Sequence, residues 1–182
     1  MAQMITRGAG TCLYCGSEFD VRGMARHLSA CTARKRVVEE ADRRRVTNSD
    51  LYHLRVQDQW NKDFWLDVEM RGTESLGSLD HYLRAIWLEC CGHLSMFSKS
   101  GWNSHEFPPE TRIREVFRPD IQISYIYDFG SSSEILIRNM SIRSGRPIQP
   151  RHPVALMARN VDPAYECIAC GESAIWLCFE CV

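Results

Sequence analysis

The chain has 182 residues, of which 45% are hydrophobic and 25% are charged, and its net charge is −1. These values are ordinary for a soluble globular protein, and no apolar run approaches the ~18 residues that a membrane span needs. The first eight residues lack the apolar core of a signal peptide, so we expect a cytoplasmic protein without a membrane partner.

The small net charge hides an asymmetry along the chain. Residues 1–46 carry nine Lys and Arg against five Asp and Glu, a net charge of +4, whereas the remainder carries −5. A basic segment ahead of an acidic body predicts that any nucleic-acid contact is made by the N-terminal segment. Seven of the nine cysteines fall into metal-type spacings near the two ends, which favours metal binding over a disulfide framework.

The first element in chain order is a segment with the spacing of a zinc finger. Cys12 and Cys15 form a C-x2-C pair, and His27 and Cys31 follow after eleven intervening residues with the spacing H-x3-C. A helix places His27 and Cys31 on one face because they are four residues apart, and Gly16 relaxes the turn after the first pair. The segment resembles the finger of two cysteines and two histidines, with cysteine in place of the second histidine. We predict one zinc ion here.

Phe19, Met24 and Leu28 are expected to form the small apolar core beside this metal. We predict that the helix from Val21 continues to about Arg45, because no proline interrupts it. Its basic side chains are the predicted nucleic-acid-binding residues: Arg22, Arg26, Arg34, Lys35, Arg36, Arg43, Arg44 and Arg45. They would contact phosphates without reading sequence, since base-reading fingers usually occur in tandem. The alternatives are a protein-binding surface and a solvated helix that links two domains.

A polar cluster from Thr47 to Asp50 ends the basic arm, and we place a domain boundary there. The expected units are residues 1–46, 47–160 and 161–182. Periodicity in the central unit predicts, in order, a hairpin of 51–57 with 64–71, a helix capped by Ser78 and ended by Gly92, a strand at 93–97, a short helix at 112–117, a hairpin of 120–127 with 134–143, and a strand at 153–159. One main helix among about six strands predicts an α+β fold with a mostly antiparallel sheet.

Three segments of the central unit carry a resemblance to a known family. They are Tyr52-His-Leu-Arg-Val56, Ile86-Trp-Leu-Glu-Cys-Cys-Gly-His-Leu94 and Tyr125-Ile-Tyr-Asp-Phe-Gly130. Over about residues 51–160 the chain resembles the plasmid open-reading-frame-3-like family, which is also known from passenger proteins of insertion elements. The resemblance implies an α+β fold with a curved antiparallel sheet and a link to mobile elements. It implies no activity, because the molecular function of that family is not established.

The chain ends with two further C-x2-C pairs, seven residues apart. The four cysteines are Cys167, Cys170, Cys178 and Cys181. Four thiols with this spacing can close on one metal in a tetrahedron, and zinc accepts such a set without strain. We therefore predict two zinc ions per chain, and we expect Trp176 to dock this unit on the central sheet.

No spacing in the central unit predicts a catalytic mechanism, since the sequence has no Gly-rich phosphate loop and no nucleophile elbow. Asp128 is expected to cap the turn at Phe129 and Gly130 through its carboxylate. The sequence thus predicts a zinc-binding, non-catalytic adaptor that contacts nucleic acid through the finger and the arm. One alternative is a protein–protein interaction module with purely structural zinc sites. Another is an enzyme with a pocket that joins Cys90, His93 and Asp128.

Overall fold

The computed structural model describes residues 8–88 and 92–161. The strands in these ranges are β1 (Gly10–Cys12), β2 (Glu18–Phe19), β3 (Ser49–Asp58), β4 (Trp65–Arg71), β5 (Ser95–Ser98), β6 (Glu106–Phe107), β7 (Gln122–Tyr127), β8 (Ser133–Gly145) and β9 (Val154–Asn160). The helices are α1 (Val21–Ala30), α2 (Thr32–Asp42), α3 (Leu76–Leu83) and α4 (Ile113–Val116), and α3 continues into a π-helical turn at Arg84–Leu88.

The nine strands form one open sheet in the order β2-β1-β9-β4-β3-β8-β7-β5-β6, and every neighbouring pair is antiparallel. Both predicted hairpins are present, β3 with β4 and β7 with β8. The predicted α+β class with a mostly antiparallel sheet is therefore confirmed. The described ranges hold four α-helices: α1 and α2 lie in the segment predicted as one helix, α3 corresponds to the predicted main helix, and α4 to the predicted short helix.

The main hydrophobic core lies on one face of the sheet. Leu54 and Val56 of β3 point into it, as do Leu66 and Val68 of β4. Helices α3 and α4 cover this face with fully buried side chains, among them Leu79. Alternation along the strands separates this face from the opposite one, because successive side chains of a strand point to opposite faces.

The opposite face carries the N-terminal segment. Strand β1 pairs with β9, and the register joins Gly10 to Asn160 and Cys12 to Ala158. Helix α1 buries Met24 in a second apolar cluster that includes Trp65 of β4. The finger segment and the central strands therefore belong to one sheet. The division at residue 47 stays a prediction about domain organisation.

The predicted continuous helix from Val21 to Arg45 is wrong. The chain leaves the helical conformation at Cys31, which has φ −56° and ψ 115° and separates α1 from α2. This break directs α2 toward the segment after β8, where the backbone N–H of Arg146 donates to Asp42 Oδ1 at 2.7 Å. The Arg146 guanidinium also donates to the carbonyl oxygens of Asp42 and Val46, which ties the end of α2 to this segment. Residues 21–45 contain no proline from which the break could be predicted.

Helix α3 begins three residues before the predicted position. Ser75 is the N-cap, and its Oγ accepts a hydrogen bond from the backbone N–H of Ser78 at 3.2 Å. Ser75 and Ser78 are equally able to cap a helix. The start at Ser75 is favoured because it buries Leu76 completely. Among the helices of the two described ranges, none has the length and apolar character needed to cross a membrane.

Candidate metal centre

The first two cysteines lie on a tight turn at the end of β1. The backbone N–H of Gly16 donates to the carbonyl oxygen of Cys12 at 2.8 Å, and the N–H of Cys12 donates to that of Ser17 at 3.0 Å. Gly16 has φ +73°, in the left-handed region that favours glycine. The predicted role of Gly16 in relaxing the turn after Cys15 is confirmed.

Helix α1 and the residue that follows it supply the other two side chains. Asp20 caps its N-terminus by accepting a hydrogen bond from the Gly23 N–H at 2.5 Å. The ring of Phe19 stacks on the imidazole of His27 with a centroid distance of 4.3 Å and an angle of 25°. Cys31 follows the helix directly, and its N–H donates to the His27 carbonyl oxygen at 2.7 Å. Stacking and capping together fix the directions in which His27 and Cys31 point.

These elements bring Cys12, Cys15, His27 and Cys31 together. Their ligand atoms all lie within 4.8 Å of one another, and Cys15 Sγ is 3.2 Å from His27 Nε2. Cys12 and Cys31 are buried, His27 is half-buried and Cys15 is exposed. Three sulfur atoms and one imidazole nitrogen at these distances form a group that can hold a metal ion.

The two cysteines of the turn differ in acidity. Burial raises the pKa of the Cys12 thiol to about 11. Hydrogen bonds from the Ser17 side chain and backbone lower the pKa of Cys15 to about 6. Without a cation, Cys15 is therefore mainly a thiolate at neutral pH while Cys12 keeps its proton. A metal that binds all four groups has to displace the Cys12 proton, so its affinity rises with pH.

The centre is anchored to the sheet by a second set of side chains. Trp65 is fully buried, and its Nε1–H donates to the Gly8 carbonyl oxygen at 3.1 Å. The Arg55 guanidinium lies over the Trp65 ring at 5.2 Å and donates through Nη1 to the carbonyl oxygen of Val21. Met157 of β9 completes the apolar cluster. Sequence pattern does not predict these contacts, because they join strands that are distant in the chain.

Asp67 holds this anchor in place. Its Oδ1 is 2.9 Å from His53 Nε2 and accepts from Arg55 Nε at 3.0 Å, and its Oδ2 accepts from Arg55 Nη2 at 2.5 Å. Asp67 has no exposed surface. Burial opposes its ionisation, yet hydrogen bonds and charges from His53 and Arg55 lower the pKa of Asp67 below its ordinary value. The carboxylate thus neutralises Arg55 beneath the finger.

Arg34 differs from the other predicted nucleic-acid-binding residues. It is half-buried, donates through Nη1 to the Leu28 carbonyl oxygen at 3.1 Å and pairs with Glu69 at 3.5 Å. Arg143 also donates to both carboxylate oxygens of Glu69, at 2.7 and 2.8 Å. Arg34 therefore ties α2 to the sheet. The remaining predicted basic residues are exposed: Arg22, Arg26, Lys35, Arg36, Arg43, Arg44 and Arg45.

The residues considered for an enzyme site lie in a different part of the molecule. His93 Nδ1 is 3.4 Å from Asp128 Oδ1. The Asp128 carboxylate accepts from the N–H groups of Gly130 at 2.9 Å and Ser131 at 3.2 Å, so the predicted capping of this turn is confirmed. A cavity of about 230 Å³ is lined by Asp80 and Ser95 but by neither His93 nor Asp128. Cys90 lies outside the described residues.

The four C-terminal cysteines and Trp176 also lie outside the described residues. The predicted second zinc site at Cys167, Cys170, Cys178 and Cys181 therefore stays a prediction, as does the docking of Trp176.

No family model matches the sequence, and no curated protein matches it. The structure is similar to a solved structure of a protein of unknown function, MM3350 from Methanosarcina mazei Go1, with a TM-score of 0.47 and 16% sequence identity. The match covers 55% of this chain and 64% of that chain, which is less than two thirds of its length. Membership of the plasmid open-reading-frame-3-like family remains a prediction from the sequence.

Proposed function

We propose that the protein is a zinc-binding, non-catalytic adaptor that contacts nucleic acid through its N-terminal finger and basic arm. The proposal depends above all on the convergence of Cys12, Cys15, His27 and Cys31 within 4.8 Å. Three thiolates and one imidazole form a ligand set that zinc accepts in a tetrahedron, and a site with four protein ligands is typical of structural zinc. The ion would link the turn after β1 to the end of α1 and so fix the position of the helix.

The exposed basic side chains support the nucleic-acid part of the proposal. Arg22 and Arg26 lie on α1, and Arg43 to Arg45 follow α2. Such side chains bind phosphates through charge and need no base contacts. Within this proposal, the C-terminal cysteines hold a second zinc ion outside the described residues, and the link to mobile elements is one context for the adaptor.

The binding test uses the full chain, loaded with zinc, and fluorescence anisotropy with labelled DNA and RNA. The double variant Arg43→Gln/Arg45→Gln removes two exposed charges of the arm. We expect its affinity to fall about tenfold at low salt, and the slope of log K against log salt to become shallower by roughly 1.5. The control Lys99→Gln/Arg151→Gln removes the same charge from exposed positions elsewhere.

Two results would contradict the proposal. One is the absence of salt-dependent binding to DNA or RNA at low ionic strength. The other is an equal loss of affinity in the arm variant and in the control. That result would show that the arm affects binding only through the net charge of the protein. Metal analysis of the same preparation tests the zinc part, for which we expect two zinc ions per chain.

An exposed apolar cluster favours a second candidate, a protein–protein interaction module with structural zinc. The rings of Trp102 and Phe129 meet edge to face at 5.1 Å and are 42% and 41% exposed. Leu94 is 72% exposed, and its carbonyl oxygen accepts from the N–H of Asp128, next to Phe129. Affinity purification with the Trp102→Ala variant tests this candidate. A partner lost with that variant but kept by Arg43→Gln/Arg45→Gln would support it.

A further inference from the structure

A basic cleft lies between helix α1 and strands β3 and β8 of the sheet. Its volume is about 560 Å³. Four cationic side chains line it: Arg22 from α1, Arg55 from β3, Lys62 from the β3–β4 turn and Arg138 from β8. Among the described residues, no carboxylate contributes to its lining.

The floor of the cleft carries two arginine side chains from neighbouring strands. Arg55 and Arg138 are directly opposite each other on the paired strands β3 and β8. Like charges in this position destabilise a sheet. Asp67 neutralises Arg55. In the part of the chain that the structure describes, Arg138 pairs with Asp120 at 3.5 Å, and these side chains are 53% and 88% exposed. Such an exposed pair contributes little, so the Arg138 guanidinium remains available to an anion.

The walls of the cleft add further cations. The Arg22 side chain is exposed and takes part in no ion pair within residues 8–88 and 92–161. Lys62 is also exposed, and its Nζ donates to a neutral group, the Asp58 carbonyl oxygen, at 3.2 Å. Within the described ranges, an anion in the cleft can therefore meet Arg22 and Lys62 without displacing a carboxylate, and at Arg138 it competes with the exposed Asp120.

An exposed indole lies on the same turn as Lys62, which lines the cleft. Trp60 is 75% exposed, the highest exposure of any large hydrophobic side chain among the described residues. The turn itself is well held, because Asp58 Oδ1 accepts from the N–H groups of Trp60 at 2.8 Å and Asn61 at 2.5 Å. Gln57 Nε2 also donates to the Lys62 carbonyl oxygen at 2.9 Å. These three hydrogen bonds hold a turn that presents its tryptophan to solvent.

We propose that this cleft binds single-stranded nucleic acid. The phosphates of the bound strand contact Arg22, Lys62 and Arg138, and one of its bases stacks on Trp60. A positively charged groove with an adjacent aromatic platform is the arrangement by which proteins hold single strands. A duplex keeps its bases stacked on one another, so it can use the cations but not the indole. The inference rests on the proposed function and gives it a nucleic-acid class and a second contact surface.

The experiment measures binding of the zinc-loaded full chain to a labelled 12-mer of thymidine, the matching 12-mer of uridine, and a duplex of the same length. We expect both single strands to bind more tightly than the duplex. Lys62→Gln/Arg138→Gln should weaken single-strand binding about tenfold and make the salt slope shallower by roughly 1.4. Trp60→Ala should weaken it at least fivefold with an unchanged salt slope, since stacking is not ionic. The controls are Lys99→Gln/Arg151→Gln and Trp102→Ala.

Three results separate this inference from the proposed function. Single-strand binding that is lost with Arg43→Gln/Arg45→Gln but unchanged with Lys62→Gln/Arg138→Gln and Trp60→Ala overturns the cleft and leaves the proposed function intact. Tighter binding of the duplex than of both single strands overturns the single-strand class. The absence of binding to every probe removes the inference together with the proposed function. Unchanged circular dichroism and zinc content verify that each variant is folded.

Discussion

The four candidate metal ligands differ in exposure, and this difference affects how readily each one can bind a metal ion. They are Cys12, Cys15, His27 and Cys31. Cys12 and Cys31 are buried beside Met24, whereas Cys15 is exposed at the tip of the turn. Burial makes a thiolate costly when no cation is near it. Cys12 is therefore expected to lose its proton when a cation binds. The stacked Phe19 ring restricts His27 to one orientation. At the scale of single residues, the four side chains therefore form a group that can hold a metal ion.

Replacement of His27 tests the ligand group at this scale. We expect His27→Asn to lower the zinc content by about one ion per chain, because a tetrahedral structural site needs all four ligands. Inductively coupled plasma mass spectrometry, after dialysis against a weak chelator, gives the number of zinc ions per chain. His152→Asn, an exposed histidine in the loop before β9, is the matched control. Full retention of zinc by the His27 variant would contradict the assignment.

Strand β1 connects the metal centre to the rest of the fold. It has three residues, yet it joins β2 to β9 and lies against the buried Trp65 ring. Gly10 makes this possible, since a Cβ at that position would overlap the Trp65 ring and the carbonyl oxygen of Arg159. The absence of a side chain lets β1 approach closely enough to pair with β9. The element therefore depends on one glycine and one tryptophan.

We expect Gly10→Ala to separate β1 from β9 and to destabilise the protein by roughly 1–3 kcal/mol, the usual cost of overpacking. Urea denaturation gives the free energy of unfolding. Hydrogen exchange should locate the change in β1 and β9 while β3 and β8 stay protected. Thr11→Ala, at the neighbouring half-buried position, is the control. Equal stability of Gly10→Ala and wild type would show that the contact with Trp65 can relax.

Each face of the sheet contains a buried or half-buried carboxylate that holds neighbouring elements together. Asp67 binds His53 and Arg55 under the finger. On the other face, Asp80 of α3 accepts from Tyr125 Oη at 2.6 Å and Arg84 Nε at 2.8 Å. Burial opposes ionisation of Asp80, but hydrogen bonds from Arg84, Ser95 and Tyr125 lower the pKa of Asp80. An ionised carboxylate therefore joins neighbouring elements on each face of the sheet.

This arrangement predicts a loss of stability in acid. A carboxyl whose pKa is lower in the folded state contributes stability above its unfolded pKa of about 3.9, and this contribution is lost as pH falls through the folded pKa. We expect Asp80→Asn to be less stable than wild type by roughly 1–3 kcal/mol at pH 7, and the difference to shrink below about pH 4.

Urea denaturation of both proteins at pH 7 and pH 3.5 measures this difference. Loss of metal in acid affects both proteins alike and cancels in the comparison. Asp50→Asn removes an exposed carboxylate and should match wild type at both pH values. A difference between Asp80→Asn and wild type that is the same at both pH values would show that the ionised state of Asp80 is not what stabilises the fold.

Local pattern was sufficient for most of the elements. Alternation of apolar and polar residues predicted β3, β4, β7, β8 and β9, because a half-buried strand must present one face to the core. The spacing of Cys12, Cys15, His27 and Cys31 predicted their convergence, since a turn and one helical repeat suffice to bring them together. The break at Cys31 and the start of α3 at Leu76 were not predicted. Both depend on contacts with distant residues, and helix propensity contains no information about such contacts.

The sequence alone thus determined the fold class and a ligand group that a short segment can assemble by itself. The tertiary structure decided where that group lies. The pairing of β1 with β9 joins residues near opposite ends of the described chain, and the register is set by packing on Trp65 rather than by any local periodicity. The tertiary structure also places Arg22 of α1 and Arg138 of β8 in the lining of one cleft. Charges far apart in the sequence combine into one surface only when the chain has folded, because electrostatic interactions depend on distance in space.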